Sequence, residues 1–212
     1  MIIVFAKAPV AGQAKTRLIP RLGAWRAARL HARLVCETVQ TALAARCGGV
    51  ELHGTRAHSL FRILKVPFRL QRGHDLGERM YRALARAREP AIVIGTDCPA
   101  LTPADLRRAA RYLRSGYQAV IAPAEDGGYA LLALRKARPE LFHAIEWGGT
   151  SVYAETAKRL ANYRWRALRR IWDVDRPEDL ERLRSLRLAS GSRRAALRSL
   201  YSRARSDESD RP

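Results

Sequence analysis

Short apolar runs rich in β-branched residues recur along the chain, each followed by a longer stretch with helical periodicity. Ile2-Ile3-Val4-Phe5-Ala6 opens the series, and Ala91-Ile92-Val93-Ile94 continues it. Runs with no polar alternation suit strands buried on both faces, and their alternation with helices predicts an α/β fold. Its central sheet is expected to be mostly parallel, with helices on both faces.

The periodicity predicts strands over 1–6, 49–53, 91–96, 118–122, 129–134 and 164–172, and helices over 23–47, 75–88, 103–115, 150–162 and 177–188. Two helix starts carry caps. Thr102-Pro103-Ala104-Asp105 places a hydroxyl at the cap, proline in the first turn and an acid where the helix dipole favours it. Asp175-Arg176-Pro177-Glu178 has the same form, with Asp175 read as the cap. The length of 212 residues suits one domain over 1–188. After it, residues 189–212 lose any apolar face and read as a basic, flexible C-terminal tail.

The formal charge is +20, carried by 35 arginines and only 5 lysines against 20 acids. The arginines are spread over helix-like stretches (Arg26, Arg29 and Arg33; Arg107, Arg108, Arg111 and Arg114) and are not interleaved with aromatics. A basic nucleic-acid-binding module is therefore the weaker reading, although the positive potential would draw in small polyanions such as nucleotides. No segment approaches the roughly 18 uninterrupted apolar residues of a membrane helix, and the N-terminal run reads as a strand, not a signal peptide. Three cysteines, Cys36, Cys47 and Cys98, show no paired spacing, so a reducing cytoplasm is expected and a disulfide framework is not.

Four segments offer chemistry. Gly95-Thr96-Asp97-Cys98-Pro99 ends a predicted strand and sets a lone carboxylate at the sheet edge where α/β proteins bind ligands. Asp97 reads as a metal anchor, since a cation on nucleotide phosphates takes only one or two protein carboxylates; the alternative is a cap for the turn before Thr102. The loop after the first strand groups Lys7, Lys15 and Arg17 around Gly12, a composition able to cradle phosphates, though it lacks the P-loop pattern. Asp126-Gly127-Gly128 reads as a hairpin turn or as a site where Asp126 binds an acceptor hydroxyl or serves as general base. Asp173, leaving the last predicted strand, is a candidate second metal carboxylate. The five histidines have no metal-ligand spacing, and no nucleophile elbow is present. Asp75 is expected to cap the helix after Gly73, whose N-terminus could face an anion.

Taken together, FAKAPVAGQAKTRL (5–18), GHDLGERM (73–80), IGTDCPALTPADL (94–106), APAEDGGYALLAL (122–134) and DVDRPEDL (173–180) resemble the rSAM/selenodomain-associated transferase family. This glycosyltransferase-like family has the nucleotide-diphospho-sugar transferase fold of GT-A type, so the resemblance implies a GT-A/Rossmann-like three-layer sandwich. The first motif is also similar to the entry loop of 2-phospholactate guanylyltransferases. Two departures stand out: Trp147-Gly148-Gly149-Thr150 replaces a tryptophan-small-threonine segment, and no D-x-D pair stands at Asp97.

The resemblance implies a metal-dependent transferase with a nucleotide or nucleotide-sugar donor and a small-molecule acceptor. Mg²⁺ or Mn²⁺ would sit on Asp97, with Asp173 as second ligand. Lys7, Gly12, Lys15 and Arg17 would line the donor phosphates, with Lys15 and Arg17 acting on the reaction. Asp126, Gly127 and Gly128 would form the acceptor side. Glycosyl transfer is the expected reaction; nucleotidyl transfer from a nucleoside triphosphate, releasing pyrophosphate, is the alternative. The base, the acceptor and the oligomeric state are not legible.

Overall fold

Among the described residues, seven strands form one sheet in the order β3-β2-β1-β4-β6-β5-β7. The computed structural model describes residues 1–87 and 90–189. The strands are β1 (Ile2–Ala6), β2 (Val50–Gly54), β3 (Phe68–Leu70), β4 (Ala91–Gly95), β5 (Ala119–Pro123), β6 (Tyr129–Leu134) and β7 (Trp165–Ala167). β6 runs antiparallel to its neighbours β4 and β5, while the β1–β2, β1–β4, β2–β3 and β5–β7 pairs are parallel. The expected mostly parallel sheet is thus present. The strand order also brings the exits of β1, β2, β3, β4, β5 and β7 to one edge.

The helices are α1 (Ile19–Leu22), α2 (Ala24–Ala45), α3 (Ser59–Ile63), α4 (Leu76–Ala87), α5 (Pro103–Arg114), α6 (Val152–Arg159) and α7 (Asp179–Ala189). On one face of the sheet Ile2, Val4 and Ala6 pack with Val35 and Val39 of α2 and with Leu106, Ala109 and Leu113 of α5. On the other, Ile3 and Phe5 pack with Met80 and Leu84 of α4 and with Phe142. All five β1 residues are buried, which is why the sequence there has no polar alternation.

Several boundaries differ from the periodicity for visible reasons. Gly23, at φ 77°, separates α1 from α2, so the expected helix over 23–47 begins at Ala24 and is preceded by a short one. The expected strand over 164–172 leaves the ladder after Ala167 and rejoins it only as a bridge between Ala124 and Ile171. The excursion lets Arg169 reach Asp105 at 2.8 Å and the Ala100 carbonyl at 2.7 Å. α3 and β3, a short helix and a three-residue edge strand, were too brief to show a period.

Thr102 and Asp105 form a complete capping box on α5. Asp175 does not cap α7, as the sequence pattern suggested. Its carboxylate pairs with Arg17, and Asp179 accepts instead from the Asp175 and Arg176 amides at 2.9 and 2.6 Å. Of the expected tail, residues 190–212 lie outside the described residues. Among the described residues no helix is long and apolar enough to cross a membrane.

Candidate functional site

The loop leaving β1 is pinned from below. Thr55 Oγ1 accepts from the Ala8 amide at 3.2 Å, the Thr55 amide donates to the Ala6 carbonyl at 3.1 Å, and Ala14 is fully buried. Gly12 takes φ 81°, which lets the chain reverse between Val10 and Ala14. The reversal delivers Lys15, in the left-handed region at φ 51°, with its side chain pointing inward and only 4% exposed.

The Lys15 ammonium lies 2.6 Å from Asp97 Oδ1 and donates to the Val174 carbonyl. Asp97 follows β4 directly. Its side chain is 51% exposed, yet Oδ1 itself is buried, so the open part of the carboxylate is the Oδ2 side. α5 is capped by the Thr102 hydroxyl and Asp105, not by Asp97. The Val174 amide donates to the Asp97 carbonyl at 2.8 Å, which stitches the exit of the last strand region to β4.

His31, buried on α2, completes the floor. Its Nε2 lies 3.0 Å from the Lys7 carbonyl; a carbonyl only accepts, so Nε2 carries the proton. Nδ1 then presents a bare lone pair 3.8 Å from Asp97 Oδ1, with no hydrogen-bond partner. Burial holds the imidazole below its ordinary value against the opposing pull of Asp97, so it is neutral. His31 has no histidine at metal-ligand spacing in the sequence, so spacing gives no sign of it. The signal that marks it is a polar residue on the buried stripe of α2, among Ala27, Ala28, Leu34 and Val35.

Three carboxylates act electrostatically on one thiol. The buried Cys98 thiol is pushed well above its ordinary value by burial and then by Asp97, Asp173 and Asp126, which rules it out as a thiolate nucleophile. Burial, followed by the charge of Asp126, pushes the half-buried Asp173 up to about 6. Asp126 sits at the tip of the β5–β6 hairpin, exposed, with Oδ1 accepting from the Gly128 amide at 2.9 Å. Gly127, at φ 91°, is passed so closely by the Thr150 carbonyl that no side chain fits. Asp126-Gly127-Gly128 is thus the hairpin turn between the antiparallel strands β5 and β6.

Other expected groups are occupied. Arg17 pairs with Asp175 and stays largely exposed, leaving Lys7 as the solvent-facing lysine of the first loop. The neighbouring acid Glu125 is held by Arg182 at 2.7 Å. The N-terminus of α4 is closed by its own acids, since the Glu78 amide donates to Asp75 at 2.7 Å and the His74 amide to Glu78 at 2.7 Å. Among the described residues no group of three or more His, Cys, Asp or Glu side chains is placed to hold a metal ion.

The fold is shared with known structures. A protein from Desulfovibrio desulfuricans G20, provisionally named a nucleotide-diphospho-sugar transferase, superposes with a TM-score of 0.79 at 29% identity, covering 98% of this chain and 94% of that one. CMP:2-keto-3-deoxy-manno-octonic acid synthetase complexed with CTP gives 0.61 at 12% identity, covering 90% and 98%. Molybdopterin-guanine dinucleotide biosynthesis protein A from Archaeoglobus fulgidus gives 0.53 at 14% identity, covering 86% and 96%. No curated protein matches the chain. A family profile described as "Uncharacterized protein conserved in bacteria (DUF2064)" matches residues 33–149, from α2 through the loop before α6. With that match over more than half of its length, the chain belongs to the DUF2064 family.

Proposed function

We propose that the protein is a nucleotide-dependent transferase whose donor phosphates lie between the first loop and Asp97, and that it transfers a glycosyl group from a nucleotide-sugar. The observation that carries this reading is the Asp97 carboxylate, whose inner oxygen is fixed by Lys15 while its outer side opens to solvent at the strand edge. The chemistry of the site fits a divalent cation held by few protein ligands. Burial, and then the charge of Asp126, raise Asp173, and a cation beside it would favour its charged form. Asp97 and Asp173 would hold Mg²⁺ or Mn²⁺, with water and phosphate oxygens completing the shell. Such an ion would offset the charge that develops on the departing diphosphate.

Asp126 keeps one oxygen free of its turn, in position to accept from an acceptor hydroxyl or to take its proton. The diphosphate donor is favoured over a triphosphate by the state of the loop cations: Lys15 is bound to Asp97 and Arg17 to Asp175, which leaves Lys7. The similar structure from Desulfovibrio desulfuricans G20 carries a name of the same class, and the likeness to rSAM/selenodomain-associated transferases agrees with it. Three free cysteines suit a reducing, cytoplasmic setting.

Nucleotidyl transfer is the second reading. It is favoured by the concentration of Lys7, Lys15 and Arg17 on one loop similar to that of 2-phospholactate guanylyltransferases. Incubation with Mg²⁺ and either nucleotide-sugars or nucleoside triphosphates plus phosphorylated acceptors separates the two. Release of nucleoside diphosphate from a nucleotide-sugar is the expected result. Pyrophosphate release from a triphosphate would transfer the assignment to the second reading.

A further inference from the structure

Lys15 is placed unlike a lysine that waits for phosphate. Its side chain is almost wholly buried, and both of its partners belong to the protein: Asp97 Oδ1, with which it forms an ion pair, and the Val174 carbonyl, to which it donates. Its backbone holds the left-handed conformation that turns the side chain inward, away from the exposed course of the loop. Lys7, by contrast, is exposed.

The ammonium also answers a local conflict. Asp97 Oδ1 and the bare Nδ1 of His31 face each other at 3.8 Å, and two buried lone pairs in that relation repel unless a positive charge stands beside them. Lys15 supplies that charge at 2.6 Å from Oδ1. Removing it would leave the carboxylate buried on one side with no counter-ion.

We propose that Lys15 is a positioning residue, a fixed counter-ion on Asp97 Oδ1 that leaves only Oδ2 to a divalent cation, and not a ligand of the donor phosphates. This rests on the reading of Asp97 as the metal anchor. A single Asp97 oxygen beside a resident ammonium, with Asp173 as the other protein ligand, makes the free protein a poor metal binder. The cation therefore enters together with the donor phosphates, which supply the remaining oxygens. The geometry thus orders binding: the metal–nucleotide complex is the species recognised.

The test measures Mn²⁺ alone by electron paramagnetic resonance, and pyrophosphate in EDTA by calorimetry, on the wild type, Lys15→Met and Lys15→Arg. Loss of a unit charge next to the ligand oxygen should tighten Mn²⁺ binding in Lys15→Met by about tenfold, while Lys15→Arg stays near the wild type. A second substitution, Asp97→Asn, should cancel the gain. Pyrophosphate affinity should be the same in wild type and Lys15→Met. A tenfold loss of pyrophosphate affinity with unchanged Mn²⁺ binding would overturn the proposal and make Lys15 a phosphate ligand. Absence of Mn²⁺ binding in both wild type and Lys15→Met would overturn the metal-anchor reading itself. Should Lys15→Met not unfold cooperatively, Lys15→Gln, which keeps a donor and lacks the charge, carries the same comparison.

Discussion

The indole of Trp147 lies against Gly77 at the start of α4, so close that a β-carbon on Gly77 would meet Nε1 at 2.3 Å. The ring also stacks on Phe142 at 6.4 Å and meets Tyr129 edge-on. With the Thr150 carbonyl passing 2.0 Å from any β-carbon on Gly127, this fixes the 147–150 segment against the β5–β6 hairpin. Its role, open from the sequence, is to wall that hairpin.

Glycine substitutions should follow those contacts. Gly127→Ala, with a backbone clash and positive φ, and Gly77→Ala, with a rigid ring in the way, should each cost about 1–3 kcal/mol, Gly127→Ala the more. Gly49→Ala meets nothing within 4 Å and should stay within about 0.5 kcal/mol of wild type. Urea midpoints for the three variants check the order; equal midpoints would contradict the packing.

The Asp173 carboxyl should give an inverted pH dependence. It ionises near 3.8 when unfolded and at about 6 when folded, because burial and then Asp126 oppose its charge. Between those values the folded protein binds more protons, so stability falls as pH rises through that window. Asp173→Asn should remove the slope and gain up to about 1 kcal/mol at neutral pH, a figure kept small because the group is half exposed. Melting temperatures of both proteins from pH 4 to 7 test this. Parallel curves would refute it.

Asp105 should behave in the opposite sense. Burial alone would raise it, but Arg169 and Thr102 together hold it below the ordinary carboxylate range. Its contribution is present above the unfolded value and is lost as pH falls through the folded one. Asp105→Ala leaves the Thr102 amide and the Arg169 guanidinium without this acceptor and should cost about 2–4 kcal/mol at pH 7. The difference from wild type should shrink below about pH 4. Chemical denaturation at pH 7 and pH 3 measures it, and a constant difference would contradict the assignment.

Much of this was legible in the chain because the information was local. Continuous apolar runs named the buried strands, and Tyr129–Leu134 was placed to the residue. Thr102 and Asp105 announced a cap that requires only a turn of helix. What escaped depends on distant partners. Asp175 looks like a cap until Arg17 takes its carboxylate, and nothing in the sequence marks Lys15 as the partner of Asp97 and Val174, which only the fold brings to it. His31 faces Asp97 from a different element, 66 residues earlier in the chain, so no spacing rule could pair them.

The most direct test is calorimetric titration of wild type and Asp97→Asn with nucleotides and nucleotide-sugars, each with Mg²⁺ and with EDTA. A ligand at 100 times its dissociation constant adds about 2.7 kcal/mol to stability, so thermal denaturation reports the same binding independently. The account predicts Mg²⁺-dependent binding in the wild type and its loss in Asp97→Asn, which still unfolds cooperatively but at a lower ligand-free melting temperature, because the buried Lys15 loses its counter-ion. Equal Mg²⁺-dependent affinity in the two proteins would contradict it.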